Sequence, residues 1–324
     1  MVQIGPHELQ RRSFPKRQIG PDEAWLRIEA NGVCGTDVEV FEGKLATLMG
    51  LDFEFIPGHE PLGFIEEIGP LAAARWGVKE GDRVAVEPFI RCGNCSACIT
   101  GHYSRCNGWE GRSRAYGYQA ASVEPGLWGG YSESLFLHPN TILHPMPAEI
   151  PTGVAALWNA LGASVRWAGA ISGTRSGDSV VIFGPGPRGI GCVVAAREAG
   201  ASRIVVTGLE MDRARLEVAL QLGADAVVSA DREDVVKRIR EVVGPEGADV
   251  AVDASAMATQ PILDAIEVLK PGGRLMLAGL KGGRPVPGLV TDRVIQKGLV
   301  VTGAWGVDYP SYREAIRIII SGRY

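Results

Sequence analysis

Four of the six cysteines lie within a stretch of fifteen residues and have the spacing of a metal site. Cys92, Cys95, Cys98 and Cys106 form the pattern C-x2-C-x2-C-x7-C. Four thiolates around one divalent ion give a closed tetrahedral shell, which predicts a structural zinc with no open position for a substrate. An iron–sulfur cluster is the rival interpretation, although the ferredoxin run has a shorter third gap that ends in Cys-Pro. Disulfides and unligated thiols are further alternatives, and a reducing cytosol favours metal ligation over disulfides.

A second chemical signal is the glycine-rich sequence GPGPRG at residues 184–189. This G-x-G-x-x-G motif follows the apolar run Val180–Phe183 and precedes a helical pattern that continues to Ala199. In that context the glycines permit a tight turn and close approach of a pyrophosphate, and the free N–H groups at the helix start bind the anion. A glycine-rich turn without a ligand is the alternative. The predicted cofactor contacts are Gly184, Gly186, Pro187, Arg188 and Gly189.

The next predicted strand, Ile204–Thr207, is followed by Gly208, at the position where an acidic residue would hold the adenosine ribose of NAD. The absence of a carboxylate removes the group that repels the 2′-phosphate of NADP. Arg213 would pair with such a phosphate, whereas Glu210 would oppose it. On its own, Arg213 also fits an exposed, solvated charge. The sequence therefore leaves the choice between NAD and NADP open.

The elements that must position these residues change in kind near Pro151. Before it, short strand-like runs alternate with turns rich in glycine and proline, which predicts a mainly β domain. After it, strands of Val, Ile and Ala alternate with amphipathic helices, as in a parallel sheet covered on both faces. The second half is therefore predicted to be a doubly wound α/β domain. The clearest strands are Ala24–Ala30, Phe64–Ile68, Arg83–Val86 and Glu133–Leu137 in the first half, and Val180–Phe183, Ile204–Thr207, Asp249–Asp253 and Gly273–Leu277 in the second.

Length and charge narrow the class of partner. A chain of 324 residues is long enough for two domains. The net charge is only −4 and the charges are interspersed, so nothing predicts binding to nucleic acid or to an anionic membrane. The polar segment 1–17 has no signal-peptide pattern, and the apolar runs are far shorter than the roughly 20 residues that span a bilayer. These features predict a cytoplasmic protein that acts on a small molecule.

Three further segments complete an ordered set of motifs: GVCGTD at 32–37, PGHEPLG at 57–63 and GDRVAVEP at 81–88. Together with the cysteines and the glycine-rich turn, they resemble the zinc-containing medium-chain dehydrogenase/reductase family over nearly the whole chain. The resemblance implies an α/β protein: a mainly β, GroES-like catalytic domain at residues 1–150, to which 308–324 return, and a Rossmann dinucleotide-binding domain at 151–307. It also implies a catalytic zinc beside the structural one, and hydride transfer between a small alcohol, polyol or sugar hydroxyl and NAD or NADP.

The resemblance assigns roles to individual residues in the first domain. Cys34 and His59 match two ligands of the catalytic zinc, and Thr36 matches the hydroxyl that takes the proton of the substrate. Asp37 matches the carboxylate that orients the ligating histidine. The known Cys2His site of alcohol dehydrogenase belongs to the same class of catalytic zinc.

This chain departs from the family at the third ligand. Where members have Cys, Glu or Asp, the sequence has Asn159, whose neutral amide is a poor zinc ligand. Glu60 adjoins His59 and, with the Cys34 thiolate, would neutralise a divalent ion. We therefore predict a shell of Cys34, His59 and Glu60 with water or substrate in the fourth place; the alternative is that Glu60 does not ligate and the site binds metal weakly.

A second departure concerns the proton relay and the substrate. Some members have a histidine five residues after the ligating cysteine, where this chain has Glu39. The proton would leave through Thr36 and the cofactor ribose, or through Glu39. Substrate contacts are expected in the loop 41–55, although its aromatic residues equally fit ordinary packing.

Two other functional classes stay open at this stage. A non-catalytic nucleotide-binding protein with the same fold is favoured by Asn159 and opposed by the combination of Cys34, Thr36, His59 and Glu60. A zinc-free reductase of quinones or enones would not need the thiolate and the imidazole. The run Gly298–Gly303 resembles the strand that pairs nucleotide domains across a family dimer, so a homodimer or homotetramer is expected. Family members also extend further at both ends, so a partial sequence is expected.

Overall fold

The computed structural model describes residues 1–45, 50–51, 53–109 and 114–324. Residue contacts divide the chain into one unit of 1–159 with 316–323 and a second unit of 160–315 with Tyr324. The sequence-based boundaries, 150/151 and 307/308, lie before the two observed ones. The loop 41–55, expected to contact substrate, lies partly outside the described residues.

The first unit is built on a five-stranded antiparallel sheet with the order β8-β3-β4-β5-β9. Two two-stranded sheets, β1 with β2 and β6 with β7, complete its strands. The core side chains on these strands include Trp25 and Phe136, whose rings meet edge to face with centroids 5.6 Å apart. The strands are β1 Val2–Gly5, β2 Glu8–Gln10, β3 Ala24–Asn31, β4 Pro61–Ile68, β5 Arg83–Val86, β6 Phe89–Ile90, β7 Arg114–Ala115, β8 Ser134–Leu137 and β9 Leu143–Pro145. The helices are α1 Gly35–Phe41, α2 Pro70–Trp76, α3 Ser96–Ile99 and α4 Thr152–Ala155, with a 3₁₀ turn at Tyr103–Arg105.

The four predicted zinc cysteines lie on a lobe, residues 91–109, that begins directly after β6. The ladder between β6 and β7 pairs Phe89 with Ala115, and so holds the two ends of this region together. A second tether comes from inside the lobe, where the Tyr103 hydroxyl donates to Glu87 Oε2 at 2.6 Å. The other oxygen of Glu87 lies 2.7 Å from Nε2 of the buried His144 in β9. The lobe is therefore anchored to the core of the unit by its base and by one buried phenol.

The second unit contains a six-stranded parallel sheet with the order β12-β11-β10-β13-β14-β15. Its strands β10, β11 and β13 are buried almost throughout, as expected of a sheet covered on both faces. The strands are β10 Ser179–Phe183, β11 Arg203–Gly208, β12 Ala226–Ser229, β13 Ala248–Asp253, β14 Leu269–Leu277 and β15 Val300–Gly303. The helices are α5 Trp158–Val165, which begins in the first unit and continues as a π-helix at Arg166–Ile171, α6 Pro187–Glu198, α7 Arg213–Gln221, α8 Val235–Val243, α9 Gln260–Val268, α10 Thr291–Lys297 and α11 Tyr309–Ser321, whose second half belongs to the first unit.

The strand order reverses between β10 and β13. In doubly wound sheets, ligands bind outside the carboxyl ends of the strands at this switch point. The glycine-rich sequence follows β10, so it lies at the carboxyl end of a strand that borders the switch point. The prediction of a mainly β domain and a doubly wound α/β domain is confirmed.

Candidate active site and metal centres

The four cysteines of the lobe converge on one point. The Sγ atoms of Cys92 and Cys98 are 3.9 Å apart, as are those of Cys95 and Cys106, and all four lie within 4.8 Å of one another. Tetrahedral zinc with bonds of about 2.3 Å places its sulfurs about 3.8 Å apart. All four thiols are free of disulfides. The donor set and the spacing therefore fit a closed zinc site.

The pKa values of the four thiols are shifted in different directions. Backbone N–H donation, first from Cys98, lowers the pKa of Cys95 to about 6, whereas burial raises the pKa of Cys98 to about 12. Metal ligation requires thiolates, so an ion binding here displaces protons from the thiols that are still protonated.

A second group of donors is formed by Cys34, Asp37 and His59, whose ligand atoms all lie within 4.8 Å of one another. Cys34 immediately precedes α1, and His59 lies just before β4, so the two come from different parts of the chain. The Sγ atom of Cys34 is 3.2 Å from Nε2 of His59. His59 is 6% exposed, and the thiol and imidazole are both donors that zinc favours.

The other ring nitrogen of His59 faces different groups. Asp37 Oδ1 is 3.2 Å from Nδ1, and the Tyr118 hydroxyl is 3.0 Å from the same nitrogen. The second oxygen of Asp37 accepts the backbone N–H of Cys34 at 2.9 Å, so one carboxylate holds both residues. Burial opposes the charged imidazole, but hydrogen bonds to Asp37 and Cys34 raise the pKa of His59 well above its ordinary value.

Glu60, the predicted third ligand, is not part of this group, and its carboxylate lies near Nε2 of His59. Its Oε1 atom is 3.8 Å from His59 Nε2, and the residue is 3% exposed. A Cβ at Gly32 would lie 2.1 Å from Glu60 Oε2, so the glycine leaves the space that this carboxylate occupies. The backbone N–H of Glu60 donates to Asn31 Oδ1 at 3.2 Å. Asn31 thus holds the backbone of Glu60, and Gly32 leaves the room that its side chain occupies.

The remaining predicted residues of this group are placed as follows. Thr36 lies in the first turn of α1 and is half-buried. Glu39 is on the same helix, and burial raises the pKa of its carboxyl. Asn159 is buried, 2% exposed, in the first turn of α5.

Two tyrosines beside the group carry no motif and were missed by the sequence reasoning. The Tyr118 ring stacks on His59 with centroids 5.4 Å apart. The Tyr131 hydroxyl is buried and has no hydrogen-bond partner among the described residues. Burial, followed by the negative charges of Asp37 and Cys34, raises the pKa of Tyr131. Both tyrosines lie in the glycine-rich stretch between β7 and β8, where no periodic pattern points to them.

The glycine-rich turn has the geometry that its motif predicts. Gly184 has φ = 98°, a conformation that side chains rarely adopt, and a Cβ at Gly189 would lie 1.8 Å from the carbonyl oxygen of Gly184. Gly186 caps α6, and Pro187 is its first residue. Twelve residues of helix therefore begin at the carboxyl end of β10, with N–H groups available to a phosphate. The turn fits a dinucleotide.

The two arginines predicted to contact the cofactor, Arg188 and Arg213, contact other side chains of the protein. The Arg188 guanidinium lies over the Trp167 ring at 5.5 Å. Arg213 is the first residue of α7, is 77% exposed and pairs with Glu217 at 3.3 Å. Gly208 is the last residue of β11, one residue beyond the predicted strand Ile204–Thr207.

The described part of the chain contains no helix with the length and apolar character needed to cross a membrane.

Comparison with known proteins identifies the class. Residues 20–148 match the alcohol dehydrogenase GroES-like domain and residues 187–321 match the zinc-binding dehydrogenase domain. A probable alcohol dehydrogenase of Mycobacterium tuberculosis is 43% identical over 100% of this chain and 87% of its own length. A probable D-xylulose reductase of Aspergillus terreus is 31% identical over 98% of this chain and 86% of its own length.

A solved structure supports the same class of protein. A protein of Sinorhizobium meliloti, described as a zinc-binding dehydrogenase bound to NADP, superimposes with a TM-score of 0.85 and 25% identity, covering 99% of this chain and 88% of its own. The chain belongs to the zinc-containing medium-chain dehydrogenase family. The predictions of a zinc-dependent, NAD(P)-linked oxidoreductase of the alcohol and polyol class, and of zinc and a nicotinamide cofactor, are confirmed.

Proposed function

We propose that the protein oxidises the hydroxyl of a small alcohol, polyol or sugar, or reduces the corresponding carbonyl, at a site held by Cys34, His59 and Glu60. Homologues named for alcohols and for D-xylulose support this substrate class. The unit that contains residues 1–159 would be the catalytic domain, since these three residues belong to it. The unit of 160–315 would bind the dinucleotide through the turn at 184–189.

The main support for the proposal is that the two ring nitrogens of His59 face different groups. Its Nε2 faces the Cys34 thiol, and its Nδ1 faces Asp37 and Tyr118. A ligating histidine typically uses one nitrogen for the metal and donates from the other to a carboxylate. We therefore assign Nε2 to the zinc and Asp37 to the orientation of the ring.

Two carboxylates are candidates for the third ligand: Asp37, whose oxygen lies within 4.8 Å of the Cys34 and His59 donors, and Glu60. Asp37 already holds Nδ1 of His59 and the backbone of Cys34, whereas Glu60 lies on the Nε2 side. The Glu60 carboxylate and the Cys34 thiolate together neutralise a divalent ion, which the amide of Asn159 would not do. Glu60 is therefore the proposed third ligand.

The chemistry of the site divides between the bound groups and the chain. When bound, zinc supplies a Lewis acid that favours loss of the substrate proton, and the nicotinamide supplies a hydride acceptor. Thr36, in the first turn of α1, takes the proton of the substrate hydroxyl. Glu39 is one route by which that proton leaves, and its burial, which raises the pKa of its carboxyl, suits a group that accepts a proton.

The other predicted residues have supporting roles. Cys92, Cys95, Cys98 and Cys106 would hold the structural zinc. Gly184, Gly186, Pro187, Arg188 and Gly189 would contact the cofactor phosphates, while Gly208 and Arg213 would lie toward its adenosine ribose.

We also propose a homodimer or homotetramer in the cytoplasm. Strand β15 forms an edge of the six-stranded sheet, and its Val300 and Val301 are 56% and 42% exposed. An apolar strand edge invites pairing with a second copy. Six unpaired cysteines fit a reducing compartment. Light scattering should give a mass that is a multiple of the chain mass, and a strictly monomeric mass would contradict the assembly.

The proposal is tested by measuring zinc per chain and turnover for the wild type and the Glu60→Gln variant. We expect two zincs and oxidation of some member of a panel of alcohols, polyols and sugars in the wild type. The variant should retain one zinc and lose turnover. Glu67→Gln is the matched control, because Glu67 is exposed on the same strand, β4. It should change neither quantity.

Other outcomes assign the site differently. If Asn159→Ala loses the second zinc while Glu60→Gln keeps it, the third ligand is Asn159. One zinc in the wild type, with nucleotide binding but no turnover, would support a non-catalytic nucleotide-binding protein.

A further inference from the structure

Residue 208 is the position that normally carries the carboxylate for the cofactor ribose, and in this chain it has no room for a side chain. A Cβ at Gly208 would lie 2.8 Å from Cγ of Pro185 and 3.2 Å from Cδ2 of Leu216. Pro185 belongs to the glycine-rich turn, so any side chain at 208 would require the Pro185 ring or the backbone at 208 to shift. The missing carboxylate at Gly208 thus has a steric cause, and it is not by itself a sign that the site accepts a 2′-phosphate.

Two other carboxylates lie beside Gly208. The carbonyl of Gly208 accepts the backbone N–H of Ala230 at 2.8 Å, which ties the end of β11 to the loop after β12. In that loop Asp231 Oδ1 accepts the backbone N–H of Glu210 at 2.9 Å. The Ser229 hydroxyl lies 3.1 Å from Asp231 Oδ1 and 3.5 Å from Glu210 Oε2. Ser229 therefore bridges the side chains of Glu210 and Asp231 next to Gly208.

The surrounding charge is also negative. Residues 210–217 and 229–233 contain five acidic and three basic residues. Arg213 pairs with Glu217 at 3.3 Å, and Arg215 pairs with Asp212 at 2.9 Å. The Glu210 N–H, and to a smaller extent the charge of Arg232, lower the pKa of Asp231, so this group is ionised at neutral pH. A phosphate at this place would meet excess negative charge.

We infer that Glu210 and Asp231, bridged by Ser229, take over the role of the strand-end carboxylate and make the enzyme select NAD over NADP. The inference rests on the proposed function, because it assumes that a dinucleotide binds at the turn 184–189. Carboxylates accept hydrogen bonds from ribose hydroxyls, and they repel a 2′-phosphate. The choice differs from that of the Sinorhizobium meliloti protein, whose structure is bound to NADP.

The test is the affinity of the intact zinc-loaded protein for NADH and for NADPH, measured by nicotinamide fluorescence. We expect the wild type to bind NADH roughly 30-fold more tightly than NADPH, the scale of two like-charge contacts that are fully exposed to water. Raising the salt concentration should narrow this preference, because salt screens exposed charges. The double variant Glu210→Gln, Asp231→Asn should bind both nucleotides with affinities within about threefold of each other, mainly through a gain for NADPH.

A matched control removes one exposed carboxylate elsewhere in the same unit. Glu241 is on α8 and pairs with Arg238 at 2.8 Å, so Glu241→Gln should keep the preference for NADH. The inference is overturned if the wild type binds NADPH as tightly as NADH, or if the double variant keeps the original preference. Binding of neither nucleotide overturns the proposed function itself, and the inference falls with it.

Discussion

The two candidate zinc sites differ in how the chain brings their donor atoms together. The cysteine lobe takes four sulfurs from residues 92–106, whereas Cys34 and His59 are 25 residues apart and are joined by Asp37 and Tyr118. The first site depends mainly on local turns, and the second on the packing of several elements. We therefore expect the loss of metal to affect mainly stability at the lobe and mainly turnover at the Cys34 site.

The largest expected effect is on turnover. Cys34→Ala removes one ligand of the proposed catalytic zinc, so kcat/KM for the best substrate should fall by roughly 10⁴-fold. The zinc content should fall from two to one, while the Tm changes by no more than about 2 °C. A variant with full activity would show that Cys34 is not a ligand, and a large fall in Tm would remove the contrast with the lobe.

The corresponding change in the lobe is Cys98→Ala. A closed metal site restrains the unfolded chain as a cross-link does, and its loss should cost roughly 3–5 kcal/mol in the free energy of unfolding. The Tm should then fall by roughly 10 °C, with zinc reduced by one per chain. Turnover at 25 °C should fall far less than in Cys34→Ala. An unchanged Tm would mean that β6, β7 and Tyr103 hold the lobe without the ion.

A smaller effect is expected for Asp37→Asn, which keeps the shape but removes the charge that faces His59 Nδ1. Groups that orient a ligating histidine typically contribute 10–100-fold to metal affinity, so chelator titration should show a loss of roughly that size. Tyr118→Phe changes the other contact of Nδ1, at 3.0 Å, and should weaken zinc binding by less. Equal losses in the two variants would contradict the leading role of Asp37.

The smallest effect concerns the base of the lobe and its dependence on pH. His138 packs edge-on against Trp109, with centroids 5.3 Å apart, and burial, followed by the charge of Arg114, lowers the pKa of His138 to about 4. Between about pH 6.5 and pH 4, the unfolded chain binds a proton at this histidine and the folded chain does not. Stability should therefore fall as pH decreases through this window, by about 1–2 kcal/mol after allowance for partial exposure.

The measurement is urea unfolding at pH 7 and pH 4.5. His138→Asn keeps an acceptor for the Asn140 N–H, which donates to His138 Nδ1 at 3.1 Å, and should lose less stability on acidification than the wild type. His7→Asn is the matched control, because His7 is exposed and has φ = 61°, which Asn tolerates. If all three proteins lose the same stability, His138 makes no contribution to acid sensitivity.

The cysteine lobe is built from neighbouring residues and the Cys34 site from distant ones, and this difference decided which features could be predicted from the sequence. Cysteine spacing and the G-x-G-x-x-G motif encode local geometry, so the sequence predicted the convergence of the four thiols and the tight turn before α6. The alternation of strands and helices predicted the parallel sheet, although β14 begins at Leu269 and not at Gly273, because Leu269 pairs with Ala248 across an irregular register. Strands β1 and β2 lie in the polar start of the chain and gave no apolar pattern.

Contacts between residues that are far apart in the chain could not be predicted from the sequence. Tyr118 and Tyr131 reach the Cys34 site from a stretch without periodicity. The reason for glycine at 32 is the Glu60 carboxylate, which follows 28 residues later in the chain. Such requirements depend on which side chains meet after folding, and a single sequence does not record that. The roles assigned to the individual site residues stay predictions until the variants are measured.

The approach of Pro185 to Gly208 also constrains substitutions at the two positions. Since Cγ of Pro185 would lie 2.8 Å from a Cβ at 208, an aspartate there collides as long as the ring is present. Replacing Pro185 by alanine removes that atom. The two positions are therefore coupled: with proline at 185, a carboxylate at 208 requires the ring or the backbone to shift. In a chain that keeps Pro185, neighbouring positions such as 210 and 229–231 can change the charge of this region without that shift.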